Sequence, residues 1–171
     1  MVNNIAIIGA GVSGLTAGYA LRKLGASVDI YERSESVTEF GAGITLSKNA
    51  TSLLKELGLM DVLLKKGYQP MGSYIRDFKK AKIISYMEFD ENFITLDRRD
   101  LVEQLSNKFF EIGGNIFFGK DIQLLEPSTG TVQISDQNSK IYDLILICDG
   151  IKSSLRNKLF DSSKPIFTNY A

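Results

Sequence analysis

The chain has 171 residues, 44% of them hydrophobic, with 20 lysines and arginines balancing 20 aspartates and glutamates, and no histidine. A net charge of zero argues against a nucleic-acid binder, which carries a basic field. The lack of histidine removes Ser-His-Asp triads, Cys-His pairs and His-based metal sites. The length is that of one domain with at most a small appendage. No apolar run reaches the roughly 18 residues of a membrane span, and "MVNN" lacks the basic start of a signal peptide. Cys148 is the single cysteine, which excludes an internal disulfide and fits a reducing cytoplasm.

In chain order, "NIAIIG" is a short apolar run that stops at glycine and reads as a buried parallel strand. Residues 13–24 read as a helix, with Leu15, Tyr19 and Leu24 at helical spacing and Gly25 as its stop. "SVDIYE" reads as a second strand, so the first 32 residues have the size of a βαβ unit. Helices are expected over 48–57 and 60–66. Residues 72–95 change character: "SYIRDF", "AKIISYMEF" and "NFITL" alternate and are rich in aromatic and β-branched residues, as in an antiparallel excursion. The spacing of Tyr74, Phe78, Tyr86 and Phe89 suits core packing or a substrate cage. A helix returns over 99–112, then the strand "NIFFG". A meander follows, with turns near 127–130 and 136–138. It ends in "LILIC", a continuous apolar run typical of a central parallel strand. The fold class is therefore α/β, Rossmann-like, with a parallel sheet of Ile5–Ile8, Val28–Tyr31, Ile116–Phe118 and Leu144–Cys148.

The glycines of the first turn carry the functional signal. Gly9, Gly11 and Gly14 form G-x-G-x-x-G between a strand and a helix, and Glu32 closes the next strand about 20 residues on. In this pattern the first glycine permits the tight turn. The second lets backbone approach a pyrophosphate, and the third lets helix and strand pack closely. The pyrophosphate sits on backbone N–H groups at a helix N-terminus, where the dipole favours negative charge. The Glu32 carboxylate can accept ribose hydroxyls and would repel a 2′-phosphate, which favours FAD or NAD over NADP. The bland alternative is a glycine-rich turn that binds nothing. Gly18 suits close packing of the helix rather than ligand contact.

The motif alone does not separate FAD from NAD. "GAGITLSKNATSLLKELGL" (41–59), "LDRRDLVEQL" (96–105) and "DLILICDGIKSSLR" (143–156), in order behind "GAGVSGL" and "YER", resemble the FAD-binding half of the flavoprotein aromatic hydroxylases. These are the group A monooxygenases that include p-hydroxybenzoate, salicylate and kynurenine hydroxylases. The resemblance implies that Gly9, Gly11 and Gly14, with the amides of Val12 and Ser13, hold the FAD pyrophosphate. It implies that Glu32 binds the adenosine ribose with Arg33 alongside, and that Gly43 and Ile44 fall in a loop beside the flavin ring. Arg98 would reach the phosphate and ribitol region, while Arg99 is a surface charge. Backbone near Ile122 would border adenine. Asp149 and Gly150 match the family's Asp-Gly motif, tied to the pyrophosphate and to the reduced nicotinamide cofactor. Asp149 is equally suited to cap the helix expected over 152–159. Cys148 and Ile147 stand where the family commonly has alanine and glycine, and Cys148 reads as a small core hydrophobe rather than a redox group.

By the same resemblance the whole chain, 1–171, is an FAD-binding domain, with residues 72–95 reaching toward a substrate domain. The family's C-terminal half is not in the sequence, and 167–171 resembles the first strand of it. The expected activity is monooxygenation of a small aromatic substrate with O₂, driven by NADH or NADPH, with no catalytic side chain assigned in this segment. The fragment alone would be inactive and prone to self-association. An NAD-dependent oxidoreductase and a non-catalytic dinucleotide-binding module are the alternatives.

Overall fold

Residues 2–36, 43–90, 92–135 and 139–160, with Ile166 and Thr168, are described by a computed structural model. The expected turn at 136–138 and the strand-like segment at 167–171 lie outside, or almost wholly outside, the described residues. The chain divides into two compact units, Met1–Thr38 with Leu105–Ala171, and Glu39–Gln104.

The first unit is built on a parallel sheet. Strand β1 (Asn4–Ile8) leads through helix α1 (Val12–Lys23) to β2 (Ser27–Tyr31). The other two strands are β7 (Asn115–Phe117) and β11 (Leu144–Ile147), and the order is β11-β1-β2-β7. Every pairing is parallel, with Ile5 opposite both Leu144 and Val28. The expected sheet is therefore present, with β7 shifted one residue earlier and β11 ending one residue sooner than expected. Apolar runs on both sides of glycine made this legible, because a strand covered on both faces needs no alternation.

The two faces of the sheet differ in what covers them. Ile7 and Ile30 approach Gly18 of α1 and Phe109 of helix α4 (Arg98–Glu111); a Cβ on Gly18 would come within 2.8 Å of Ile30 Cδ1. Gly18 is thus a packing residue, as expected. On the opposite face Ala6, Ile8 and Tyr31 join Ile122, Leu125, Val132 and Ile134. Those four belong to the meander of β8 (Ile122–Glu126), β9 (Thr131–Ile134) and β10 (Lys140–Ile141), which turns at 127–130. A polar cluster sits within this face. The hydroxyls of Tyr31 and Tyr142 lie 2.5 Å apart, and Tyr142 donates to Asp29 Oδ2 at 2.7 Å. Burial, then the Tyr31 hydroxyl, holds the Tyr142 phenol far above its ordinary titration range. At the sheet's lower edge, Asp143 Oδ2 accepts the amides of Asn3 and Asn4, both at 2.9 Å, tying β11 to β1.

The second unit holds β3 (Gly43–Leu46), α2 (Lys48–Glu56), α3 (Met60–Leu64), β4 (Gly72–Arg76), β5 (Ile83–Glu88) and β6 (Ile94–Asp97). Leu54, Leu59, Leu63, Ile94 and Leu96 are buried. Three expectations need correction. Gly43 and Ile44 are not in a loop: they open β3, which pairs antiparallel with β6, Gly43 opposite Asp97 and Ile44 opposite Leu96. Consequently "NFITL" leaves the excursion, which reduces to a β4–β5 hairpin with Tyr74 opposite Tyr86. The aromatic alternation is also not core packing. Tyr74 is 56% exposed, Phe78 99% and Tyr86 46%, while Phe89 is half-buried and stacks on Phe93. Both hairpin faces meet solvent, so the alternation does not mark a buried side.

Candidate functional site

The turn after β1 is fixed from two sides. Gly9 N–H donates to Tyr31 O at 2.8 Å, and Gly9 adopts φ +104°, a left-handed conformation that side chains disfavour. A Cβ there would also lie 2.5 Å from the carbonyl oxygen of Cys148. A Cβ on Gly14 would run into the carbonyl oxygen of Gly9 and lie 3.3 Å from Ile7 Cγ2. The first and third motif glycines are therefore demanded by the fold itself.

Gly11 is different. It is the N-cap of α1 at φ −78° and ψ −176°, a conformation open to any residue, and a Cβ on it would meet nothing within 4 Å. The fold does not need glycine here, so the space at this backbone is free for something else. The α1 N-terminus has no side-chain cap and no acidic residue in its first turn. Its first N–H groups lack helical partners and carry the positive end of the dipole. Gly11, Val12 and Ser13 thus present an uncompensated donor cluster at an open backbone, which fits the pyrophosphate of a dinucleotide.

Glu32 follows the end of β2. Its Oε2 accepts the N–H of Ala10 and its Oε1 the N–H of Ser34, both at 2.9 Å. The carboxylate is therefore held against the glycine turn. Arg33 beside it is exposed. Ile122 is buried in the meander core and pairs with Ile134, so its side chain does not face a ligand.

A cavity of about 390 Å³ opens beside the same turn, lined by Ser13, Ile147, Cys148, Asp149, Gly150, Ser153, Arg156 and Phe160. Burial, then the Asp149 charge, raises the Cys148 thiol above its ordinary value. Asp149 does not cap the following helix. Helix α5 spans Ser154–Phe160, later than expected, and Ser153 Oγ accepts the Arg156 N–H at 3.0 Å. The capping alternative for Asp149 is thereby removed. The Arg156 guanidinium turns back to donate to Ile151 O at 3.0 Å, closing the Asp149–Gly150 loop. Sequence reasoning missed Ser153 and Arg156 as members of this wall. Ser153, a hydroxyl residue just before the first helical position, was the available signal for the cap; Arg156 carried none, because it bonds the cap through its backbone N–H.

The first unit thus brings together Gly9 to Gly14, Glu32, Asp149 and Gly150. Gly43, Ile44 and Arg98 belong to the second unit. Arg98 begins the helix after β6 and is exposed. Arg99, the expected surface charge, is also exposed. Its N–H donates to Asp97 Oδ1 at 2.8 Å and its guanidinium to Oδ2 at 3.3 Å, which lowers the Asp97 carboxyl. Among the described residues, no group of three or more Cys, Asp or Glu is placed to hold a metal ion, and no helix is long and apolar enough to cross a membrane.

Known proteins share this fold. The FAD binding domain family matches residues 3–163. A 6-hydroxynicotinate 3-monooxygenase of Pseudomonas fluorescens is 26% identical over 97% of this chain and 45% of its own. An FAD-dependent monooxygenase of Aspergillus terreus is 31% identical over 91% of this chain and 50% of its own. A tetrameric form of 2-methyl-3-hydroxypyridine-5-carboxylic acid oxygenase superposes with a TM-score of 0.85 at 26% identity, over 93% of this chain and 42% of that one. The chain therefore spans about half the length of these relatives. With the motif, the sheet order and the matched span in agreement, the chain belongs to the FAD-binding-domain family found in FAD-dependent monooxygenases.

Proposed function

We propose that the chain is the FAD-binding part of an FAD-dependent monooxygenase that inserts oxygen from O₂ into a small aromatic substrate, with NADH or NADPH as reductant. The observation that carries the reading is the open, uncapped backbone at Gly11–Ser13 beside a strand-end carboxylate. Gly11, Val12 and Ser13 would hold the pyrophosphate and Glu32 the adenosine ribose, with Arg33 beside it. Backbone at Ile122 would border adenine, and Asp149 and Gly150 would meet the phosphates from the β11 side. In the second unit, Arg98 would serve the phosphate and ribitol region, and Gly43 and Ile44 the flavin ring. The β4–β5 hairpin would belong to the substrate side.

Bound FAD supplies the redox and oxygen chemistry. The chain's own residues bind, orient and exclude water: a helix N-terminus at the phosphates, a carboxylate at the ribose, and the wall formed by Cys148 to Ser153. No side chain here is assigned as acid or base. The substrates in the relatives' names, a hydroxynicotinate and a hydroxypyridine carboxylate, support a small heteroaromatic. A single cysteine suits a cytoplasmic setting.

The test is titration with ADP and with FAD. Because most of the grips described, Gly11 to Ser13 and Glu32 above all, are for the ADP portion, both should bind the 171-residue chain weakly and with similar affinity, and Gly11→Val should abolish both. Absence of ADP binding at millimolar concentration, or indifference to Gly11→Val, would overturn the assignment of the site. Substrate-stimulated NAD(P)H oxidation by a chain of the relatives' length tests the activity.

A further inference from the structure

We infer that Glu32 has a task beyond the ribose: it braces the glycine turn before any nucleotide arrives and joins the ribose and pyrophosphate positions into one rigid unit. The first half of this stands on contacts within the chain; the second rests on the dinucleotide reading.

The N–H of Ala10 decides the point. It lies between the left-handed Gly9, whose own N–H is bonded to Tyr31 O, and the open Gly11, where the donors assigned to the phosphate begin. Ala10 is 5% exposed, so its N–H cannot rely on water. It donates to Glu32 Oε2, across 22 residues, and so is withdrawn from any phosphate. The other oxygen is fixed by the Ser34 N–H. A carboxylate so gripped cannot rotate, and its orientation is set by backbone on two segments.

An ionised carboxylate offers about four acceptor positions. Two are used by Ala10 and Ser34, which leaves positions for ribose hydroxyls without release of either amide. One side chain then touches the sugar and shapes the phosphate-binding turn together. Shortening or neutralising it should therefore weaken phosphate-bearing ligands more than the nucleoside alone. A carboxylate that served only the ribose would weaken both equally.

The experiment uses the 171-residue chain and its Glu32→Ala and Glu32→Gln variants. Amide hydrogen exchange without nucleotide reads the brace. In Glu32→Ala, the Ala10 and Ser34 amides should exchange about tenfold faster or more. Gly9, bonded to Tyr31 O, and Cys148, bonded to Ile8 O, should keep their protection and report that the sheet is intact. In Glu32→Gln the carboxamide has one acceptor oxygen, so only one of the two amides should stay protected; this variant decides if the alanine variant loses the Gly9 and Cys148 protection. Unchanged Ala10 exchange in the folded variants would overturn the brace. Calorimetry with adenosine and with ADP reads the joining: Glu32→Ala should weaken ADP about tenfold more than adenosine. Equal losses would overturn the joining. If the parent chain binds neither, the dinucleotide reading and the joining fall together, and the brace is judged by exchange alone.

Discussion

The three motif glycines make separable predictions, because the fold demands Gly14 and leaves Gly11 free. In Gly14→Ala the new methyl meets the carbonyl oxygen of Gly9, a backbone atom of a turn that is itself pinned to Tyr31, and also Ile7 Cγ2 at 3.3 Å. Neither neighbour can rotate away, so the cost sits at the upper end of overpacking, about 3 kcal/mol. Alanine in place of glycine in a helix returns about 0.5–1 kcal/mol. The net loss is about 2 kcal/mol or more, and a chain of this size loses about 2–4 °C in Tm per kcal/mol. Gly14→Ala should therefore melt at least about 4–8 °C lower. In Gly11→Ala the methyl meets nothing within 4 Å and the backbone angles are ordinary. The poorer N-cap and the reduced freedom of the unfolded chain, each about 0.5 kcal/mol, oppose each other. Its Tm should stay within about 2 °C of the parent, while ADP affinity falls about 100-fold. Thermal unfolding by circular dichroism and ADP titration on the same samples read both quantities. If Gly11→Ala melts as early as Gly14→Ala, or Gly14→Ala melts with the parent, the division of labour among the glycines is wrong.

Other expectations are as direct. Arg22 donates to the carbonyls of Ala26, Ile112 and Gly113 at 3.1–3.2 Å, tying the ends of α1 and α4. Arg22→Met keeps the stem and should cost about 2 kcal/mol, read as a Tm loss of about 4–8 °C; an unchanged Tm would mean that water serves these carbonyls as well. Asp143 is lowered by the amides of Asn3, then Asn4. Its contribution is therefore present above the unfolded carboxyl value and is lost as pH falls through the lower folded one, below about pH 4. Asp143→Asn should flatten the Tm loss between pH 5 and 3, and an identical acid profile would refute it. Cys148, raised by burial and then by Asp149, should react slowly with disulfide reagents at neutral pH, with a rate still rising beyond about pH 8.5; a plateau below that pH would refute the burial. The exposed apolar side chains of the hairpin, Tyr74, Phe78, Ile84 and Tyr86, should drive concentration-dependent self-association of this chain in light scattering, relieved by Phe78→Ser with Ile84→Ser. A monomer at high concentration would count against it.

The parallel sheet was legible because Ile5–Ile8, which stops at Gly9, and Leu144–Ile147, which stops just before Cys148-Asp149-Gly150, are unbroken apolar runs, a pattern that leaves few alternatives. Strand β3 was not. "GITL" is four residues long, half exposed and opens on a glycine, and its partner lies some fifty residues away, beyond any local pattern. The alternation in the hairpin gave the strands but not their surroundings, since period two reports a geometry and not what covers it. At the site, Glu32 was visible as a carboxylate at a strand end. Its contact with Ala10 was not, because a backbone N–H has no sequence signature. The choice of Ser153 over Asp149 as cap turned on a two-residue shift in the start of α5, finer than spacing alone resolves.

The whole second unit lies in the chain between β2 and β7, which nevertheless pair directly, Asp29 with Asn115. In equilibrium terms such an insertion is cheap, since doubling a loop costs only about 0.6 kcal/mol. In time it is not. During synthesis at about 5–20 residues per second, β1, α1 and β2 emerge together, and the 116 residues from Tyr31 to Ile147 follow over roughly 6–23 s. Through that interval Ile5–Ile8 has no partner on its β11 side. That open edge of apolar residues, whose pairing is among the most non-local in the chain, is what a nascent copy would offer to a chaperone or to its neighbour on the next ribosome.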